Sequence, residues 1–114
     1  MAIASANSVV FDFYAACQIN GDGTGKKTFG CDIVRVAPGL YEFRLPAESG
    51  LSSEDTYLAV TPRALDLILA SVGSPTVVDT SPFIKTIVMR LTDGTIGDQG
   101  FTAVLLRPTT SPAV

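Results

Sequence analysis

Two cysteines are the residues of this chain whose type and spacing first suggest chemistry. Cys17 and Cys31 lie on either side of a turn centred near Thr24, so a hairpin would place them on facing strands. A cross-strand disulfide is one alternative on that register, whereas a reducing compartment favours two buried free thiols. Because no Lys, Arg or His adjoins either residue to stabilise a thiolate, the sequence does not predict a reactive cysteine.

The chain contains no histidine and no tryptophan. Histidine is the commonest general base and metal ligand, so neither a Ser-His-Asp nor a Cys-His nucleophile can be built, and a zinc site would have only two thiolates. A Ser-Lys arrangement or a pair of carboxylates is still open. Most carboxylates are expected to be solvated in turns: Asp22, Glu48, Glu54, Asp55, Asp93 and Asp98. The sequence therefore predicts a protein that is not an enzyme, with no cofactor and no metal site.

Two glycine-rich loops have the composition of ligand-binding loops without the spacing. Residues 20–25 lack the spaced acidic ligands and the final Glu of a calcium loop. The Gly25-Lys26-Lys27 run lacks the Ser or Thr and the following helix of a phosphate loop. Residues 93–100 carry similar turn residues, with metal binding as the alternative. Both loops are predicted to be turns between strands.

The charge balance excludes one class of partner. The formal net charge is −3 and the only basic cluster is Lys26-Lys27, so no nucleic-acid partner is expected. No apolar run approaches the roughly 18 residues that span a bilayer, so no membrane contact is expected. The N-terminus lacks a basic segment followed by an apolar core, so synthesis and assembly are expected in a cytoplasm.

The composition points to a chain that hides part of its surface. Apolar residues make up 46% of it and charged residues 17%, which leaves few charges for the surface of a monomer. Association with copies of itself or with another protein would cover that surface, and a small domain with a Thr/Ser-rich exterior is the alternative. One domain is expected over residues 8–108, with an N-terminal arm (1–7) and a flexible C-terminal tail (109–114).

An alternating pattern near the start is the clearest structural signal. From residue 9 to residue 19 every odd position is apolar, which predicts a strand with these side chains on a core: Val9, Phe11, Phe13, Ala15, Cys17 and Ile19. Further strands are predicted over residues 29–36, 40–45, 56–61, 83–92 and 101–107. Within 40–45 the inward side chains are Tyr41, Phe43 and Leu45. These signals predict a mainly β fold, an antiparallel β-sandwich that is jelly-roll-like, with about seven or eight strands.

One segment carries two patterns. Residues 61–73 begin with Thr-Pro and end with Gly, and Leu65, Ile68, Leu69 and Val72 have helical spacing. Residues 65, 67 and 69, all leucine, alternate as in a strand. The sequence leaves open whether residues 62–72 form a short helix or a strand.

The last two predicted strands are apolar on both faces. Phe101, Ala103 and Leu105 share one face, and Val104 and Leu106 share the other. One face of an antiparallel sheet is normally solvated, so a second apolar face needs a cover. Either residues 65–72 or another subunit would supply it.

Two stretches carry a family resemblance. Residues 39–45 (Gly-Leu-Tyr-Glu-Phe-Arg-Leu) and 57–63 (Tyr-Leu-Ala-Val-Thr-Pro-Arg) resemble strands of jelly-roll domains of the TNF/C1q type. The closing stretch, with Asp-Gly followed by Asp98-Gln99-Gly100-Phe101, resembles the last two strands of such domains. These domains recur in bacteriophage virion proteins, including capsid decoration proteins and tail-fibre head domains. The resemblance covers about residues 8–108.

The resemblance implies a homotrimer in a virion, assembled in the host cytoplasm and bound to the major capsid protein or another virion protein. The expected function is that of a capsid decoration (cement) protein, which stabilises a phage head. The alternative is a tail-fibre head domain that recognises a host surface ligand. Tyrosine is enriched at interfaces and a short arm can hold a neighbour, although core packing is the alternative for the tyrosines. The candidate partner contacts are Met1, Ala2, Ile3, Ala4, Tyr41, Tyr57 and Phe101.

Overall fold

Two four-stranded antiparallel sheets make up the fold in this computed structural model, which describes residues 9–62, 75–91 and 93–110. The strands are β1 (Val9–Ile19), β2 (Lys27–Phe29), β3 (Asp32–Ala37), β4 (Leu40–Arg44), β5 (Tyr57–Pro62), β6 (Thr76–Ser81), β7 (Ile84–Val88) and β8 (Phe101–Thr110). Two single-turn 3₁₀ helices, Ala47–Ser49 and Ser53–Asp55, connect β4 to β5. The predicted mainly β, antiparallel fold is confirmed.

The strand order brings the two ends of the described chain together. Sheet A has the order β2-β1-β8-β5 and sheet B the order β3-β4-β7-β6. The long pairing of β1 with β8 runs from Val9 opposite Thr110 to Ile19 opposite Phe101. Residues 109 and 110 therefore end a strand, whereas they were expected in a flexible tail. The predicted arm, residues 63–72 of the ambiguous segment and residues 111–114 lie outside the described residues.

The inner faces of the sheets share one apolar core. Tyr41 of sheet B meets Phe101 of sheet A edge to face, with 4.9 Å between ring centroids. The inward positions predicted within residues 40–45 are confirmed, since these side chains are buried: Tyr41, Phe43 and Leu45. On β8, the face shared by Phe101, Ala103 and Leu105 is the one that lies in the core. Burying each large apolar side chain stabilises the fold by about 1.5–3 kcal/mol.

The strand predicted over residues 29–36 is two strands in opposite sheets. β2 ends at Phe29 beside β1, and β3 begins at Asp32 beside β4. The chain changes sheets at Gly30, whose φ of 73° favours glycine. The alternation of side chains reports a strand but not the sheet to which it belongs. β6 was not predicted, because it is a short run between two prolines.

A β-bulge changes the inward face of β1. The register passes from Phe13 opposite Leu106 to Ala15 opposite Leu105, so Tyr14 is an extra residue. Ala15, Cys17 and Ile19 are buried as predicted. The prediction is wrong for Phe11 and Phe13, which are exposed, because one extra residue exchanges the faces of a strand.

Candidate interaction surface on sheet A

Four exposed aromatic side chains lie on the outer face of sheet A. They come from β1, β2 and β5 and are between 53% and 62% exposed: Phe11, Phe13, Phe29 and Tyr57. Leu106 of β8 is opposite Phe13 on one side and opposite Tyr57 on the other, so apolar side chains continue across the central strands. We call these four aromatic residues, together with Leu106, the aromatic face.

The rings of the aromatic face contact one another rather than standing alone. Phe13 and Phe29 stack with 5.8 Å between centroids and an angle of 17° between planes. Phe11 and Tyr57 approach to 6.4 Å at 59°, in a tilted arrangement. Single exposed apolar residues are ordinary on protein surfaces, whereas a group of contacting aromatic residues is a candidate interaction site.

The energy available from covering this face can be bounded. Half-exposed rings from four aromatic residues present roughly 400 Å² of apolar surface. Covering that area would contribute about 10 kcal/mol per copy before any cost. Association itself costs about 4–15 kcal/mol. The apolar side chains of Leu106 and of the neighbouring Val104 and Pro108 would therefore have to be covered as well as the rings for association to be firm.

The predicted contact residues are divided between this face and the interior. Tyr57 lies on the aromatic face. Tyr41 and Phe101 are fully buried in the core, so they have no surface with which to touch a partner, and their assignment as contacts is corrected. Met1, Ala2, Ile3 and Ala4 lie outside the described residues. Residue type alone did not predict that Tyr41 is buried and Tyr57 is exposed.

Asp98 forms the centre of a polar cluster at one end of the sandwich. Its carboxylate accepts hydrogen bonds from Arg35 (Nε to Oδ1 3.1 Å, Nη2 to Oδ2 2.7 Å) and from the backbone N–H of Gly39 (2.7 Å). The Tyr41 hydroxyl lies 3.0 Å from Oδ1 of Asp98 and 2.6 Å from the carbonyl oxygen of Gly21, so its one proton serves two acceptors. Asp98 is thus a structural anchor between four segments, not the solvated turn residue that the sequence predicted.

The ionisation of this cluster follows from the same contacts. The Arg35 guanidinium is the main reason that the pKa of Asp98 lies below its ordinary value of 3.8. Burial, followed by the hydrogen bond to Asp98, raises the pKa of Tyr41 to about 12. Both shifts favour the hydrogen-bonded states that hold the loops together, and neither provides a base that works near neutral pH.

A buried lysine was missed by sequence reasoning. Lys85 lies on the inward face of β7, and its Nζ donates to the carbonyl oxygens of Ser53 (2.5 Å) and Thr56 (3.1 Å) and to Oδ1 of Asp79 (2.7 Å). Three acceptors match the three protons of an ammonium group. The signal in the sequence was a lysine at an inward position between Phe83 and Ile87.

This lysine does not form the Ser-Lys arrangement that the sequence left open. The Ser53 hydroxyl donates to the carbonyl oxygen of Ser81 at 2.5 Å, while Lys85 binds the main-chain oxygen of Ser53. A hollow of about 300 Å³ beside them is lined by Ser52, Ser53, Glu54, Asp79, Thr80, Ser81 and Pro82. The contacts of Lys85 tie β7 to the 3₁₀ turn before β5 and supply no activated nucleophile.

The two glycine-rich loops are turns, as predicted. Asp22 accepts hydrogen bonds from the N–H and the hydroxyl of Thr24, and Asp93 does the same with Thr95. These local bonds lower the pKa of each carboxyl below 3.8. Within the described residues, no three Cys, Asp or Glu side chains come together as ligands for a metal ion.

Two further findings bear on function. Among residues 9–62, 75–91 and 93–110, no helix has both the length and the apolarity that crossing a bilayer requires. The chain matches no protein-family model, no curated protein and no solved structure. Its function is therefore inferred from its surface and its fold.

Proposed function

We propose that this chain is a non-enzymatic structural protein that works as a homo-oligomer, and specifically as a trimeric decoration (cement) protein of a bacteriophage head. The observation that carries the proposal is the aromatic face, whose four half-exposed rings form two contacting pairs. A second copy of the chain is the cover that we infer for it. The trimeric state and the phage head come from the family resemblance.

The architecture is compatible with that resemblance. The eight strands form two four-stranded antiparallel sheets, with β1 beside β8 in sheet A and β4 beside β7 in sheet B. Jelly rolls are likewise double-sheet antiparallel folds of eight strands. Domains of the TNF/C1q type have this architecture, and their trimers are the model for the proposed oligomer.

The proposed mechanism is purely one of binding. Each trimer would contact the major capsid protein across junctions between capsid subunits. Contacts that exist only in the mature shell lower its free energy relative to the unexpanded shell, as does any ligand that binds one state of a protein better. The residues 1–7 arm would hold adjacent subunits, a prediction that concerns residues outside the described part.

The aromatic face also favours one alternative. Flat, exposed rings such as Phe13 and Phe29 can stack on a host ligand, for instance the apolar face of a sugar. If the trimer forms through other surfaces and leaves these rings in water, a tail-fibre head domain that recognises a host surface ligand becomes the better proposal.

Binding to purified shells tests the proposal. Capsids from the source of the sequence, prepared without this protein, would be mixed with the wild-type chain, with Tyr57→Asp and with Val78→Asp. Val78 is the control because it is a comparably exposed apolar residue on sheet B, at 48% against 59% for Tyr57. We expect wild type and Val78→Asp to occupy the shell as trimers and Tyr57→Asp to lose trimer formation and occupancy together.

The outcomes separate the two candidate functions. Trimer density on the head in cryo-electron microscopy supports decoration, and density found only at the tail supports the tail-fibre alternative. Absence of the chain from particles contradicts both. Deletion of residues 1–7 should lower occupancy without changing the number of chains in the oligomer, and unchanged occupancy would argue against the arm.

A further inference from the structure

The two cysteines come together at β1, where the chain passes from sheet A to sheet B. Cys17 is buried on β1 and lies opposite Thr28 of β2. After Phe29 the chain turns at Gly30, which brings Cys31 back against β1. There the Cys31 thiol donates to the carbonyl oxygen of Ala16 at 3.2 Å, next to Cys17 in the chain. Both cysteines are free thiols in this structure.

The thiols are not equivalent. Cys31 is half-buried and Cys17 is 3% exposed. A hydrogen bond from the Cys17 thiol stabilises the Cys31 thiolate and is the main reason that the pKa of Cys31 lies below 9.0. The same contact is the largest cause of the raised pKa of Cys17. Cys31 is thus the more accessible and more acidic member of the pair, although no basic residue adjoins it in the sequence.

We propose that Cys17 and Cys31 form an oxidisable dithiol, a modification site that takes a low-molecular-weight disulfide of the glutathione class as its oxidant. The Cys31 thiolate attacks one sulfur of that disulfide, forms a mixed disulfide and releases one small thiol. Cys17 then gives its proton to solvent and attacks the Cys31 sulfur, which releases the second small thiol. The protein loses two electrons and two protons, and the small disulfide gains them.

The bond would fix the crossover between the sheets. It closes a loop that contains β2, a three-residue edge strand whose partner in sheet A is β1 alone. β2 carries Phe29 of the aromatic face, so oxidation would hold one edge of that face in place. Chain entropy lost from the unfolded state is the source of the stabilisation. This inference does not depend on the proposed function.

Thiol titration, peptide mapping and thermal unfolding test the proposal on the full chain. Reduced protein would be equilibrated with excess glutathione disulfide, and we expect both thiols to disappear together into an intramolecular Cys17–Cys31 bond. The unfolding temperature should rise by about 10 °C, since a closed loop of this length has a large effect on a domain of this size.

Two single variants control for packing and reactivity. Cys17→Ser should stop at the mixed disulfide on Cys31, whereas Cys31→Ser should stay unmodified while folded because Cys17 is buried. If Cys17→Ser fails to fold, Cys31→Ser and the wild type still decide the matter. Two thiols that stay free, bonds only between chains, or an intramolecular bond without a higher unfolding temperature would each overturn the proposal.

Discussion

The outer faces of the two sheets differ sharply although both belong to four-stranded antiparallel sheets of one small sandwich. Sheet A presents aromatic rings that touch each other across β2, β1 and β5. On sheet B, Arg44 pairs with Glu42 and the Thr86 hydroxyl donates to that of Thr80. The strongly exposed apolar side chains of its strands are two valines, Val36 and Val78, on opposite edge strands.

This difference shows how one residue can create an exposed aromatic surface. Without the extra residue Tyr14, Phe11 and Phe13 would share the inward face with Ala15 and Cys17. The bulge turns them outward, beside Phe29 and Tyr57. Polar side chains on the outer face of sheet B form hydrogen bonds with one another, so this face can remain exposed to water. Sheet A has aromatic rings in the corresponding place. Their removal from water by another surface would lower the free energy.

The largest effect is expected from a charge placed in the aromatic face. Phe13→Asp should raise the dissociation constant of the oligomer by about 100-fold or more, because a carboxylate would have to be desolvated where a stacked ring now lies. Sedimentation velocity over a range of protein concentrations measures this. Thr86→Asp, on the outer face of sheet B, is the matched control and should leave association unchanged. Equal weakening by both variants would break the distinction between the faces.

A smaller effect is expected from removing one ring at the edge of the same face. Phe29→Ala should weaken association by about 10-fold to 50-fold, since an exposed Phe offers roughly 100 Å² for burial. The unfolding temperature of the isolated protomer should change little, because Phe29 is mostly in water. Val78→Ala provides the comparison on sheet B. If Phe29→Ala associates as the wild type does, β2 lies outside the contact.

The sequence predicted much of the core and little of this difference. Local alternation marked β1, β4 and β8, and within residues 40–45 it correctly placed Tyr41 and Phe43 inside. It does not report a bulge or a change of sheet, because both depend on the pairing partner. The contacts of Asp98 and Lys85 join residues far apart in the chain, so no local pattern announces them.

Acid is expected to lower the free energy of unfolding of the protomer through Asp98. The pKa of Asp98 is lower in the folded state than the ordinary 3.8, so its contribution is present above that pH and is lost as the pH falls through the folded value. Asp98→Asn should lower the free energy of unfolding at pH 7 by about 1–2 kcal/mol and flatten its decline in acid. Chemical denaturation at several pH values measures both effects. An undiminished acid dependence in Asp98→Asn would remove Asp98 from this role.

The smallest effect is expected on the outer face of sheet B. The Glu42–Arg44 pair is partly exposed, so Glu42→Gln should change the free energy of unfolding by less than about 0.5 kcal/mol. Chemical denaturation of Glu42→Gln and of the wild type in low and in high salt measures this difference, which should be smaller in high salt because the ion pair is screened. The molar mass of the oligomer should not change. A loss of association in Glu42→Gln would place sheet B in the contact.

The molar mass of the purified wild-type protein is the most direct test of the inferred cover for the aromatic face. Light scattering after size exclusion should give three times the chain mass of 11.9 kDa, with Phe13→Asp eluting as a single chain. A wild-type protein that stays a stable single chain at every concentration would show that these rings need no second copy, and would contradict the proposed mode of action.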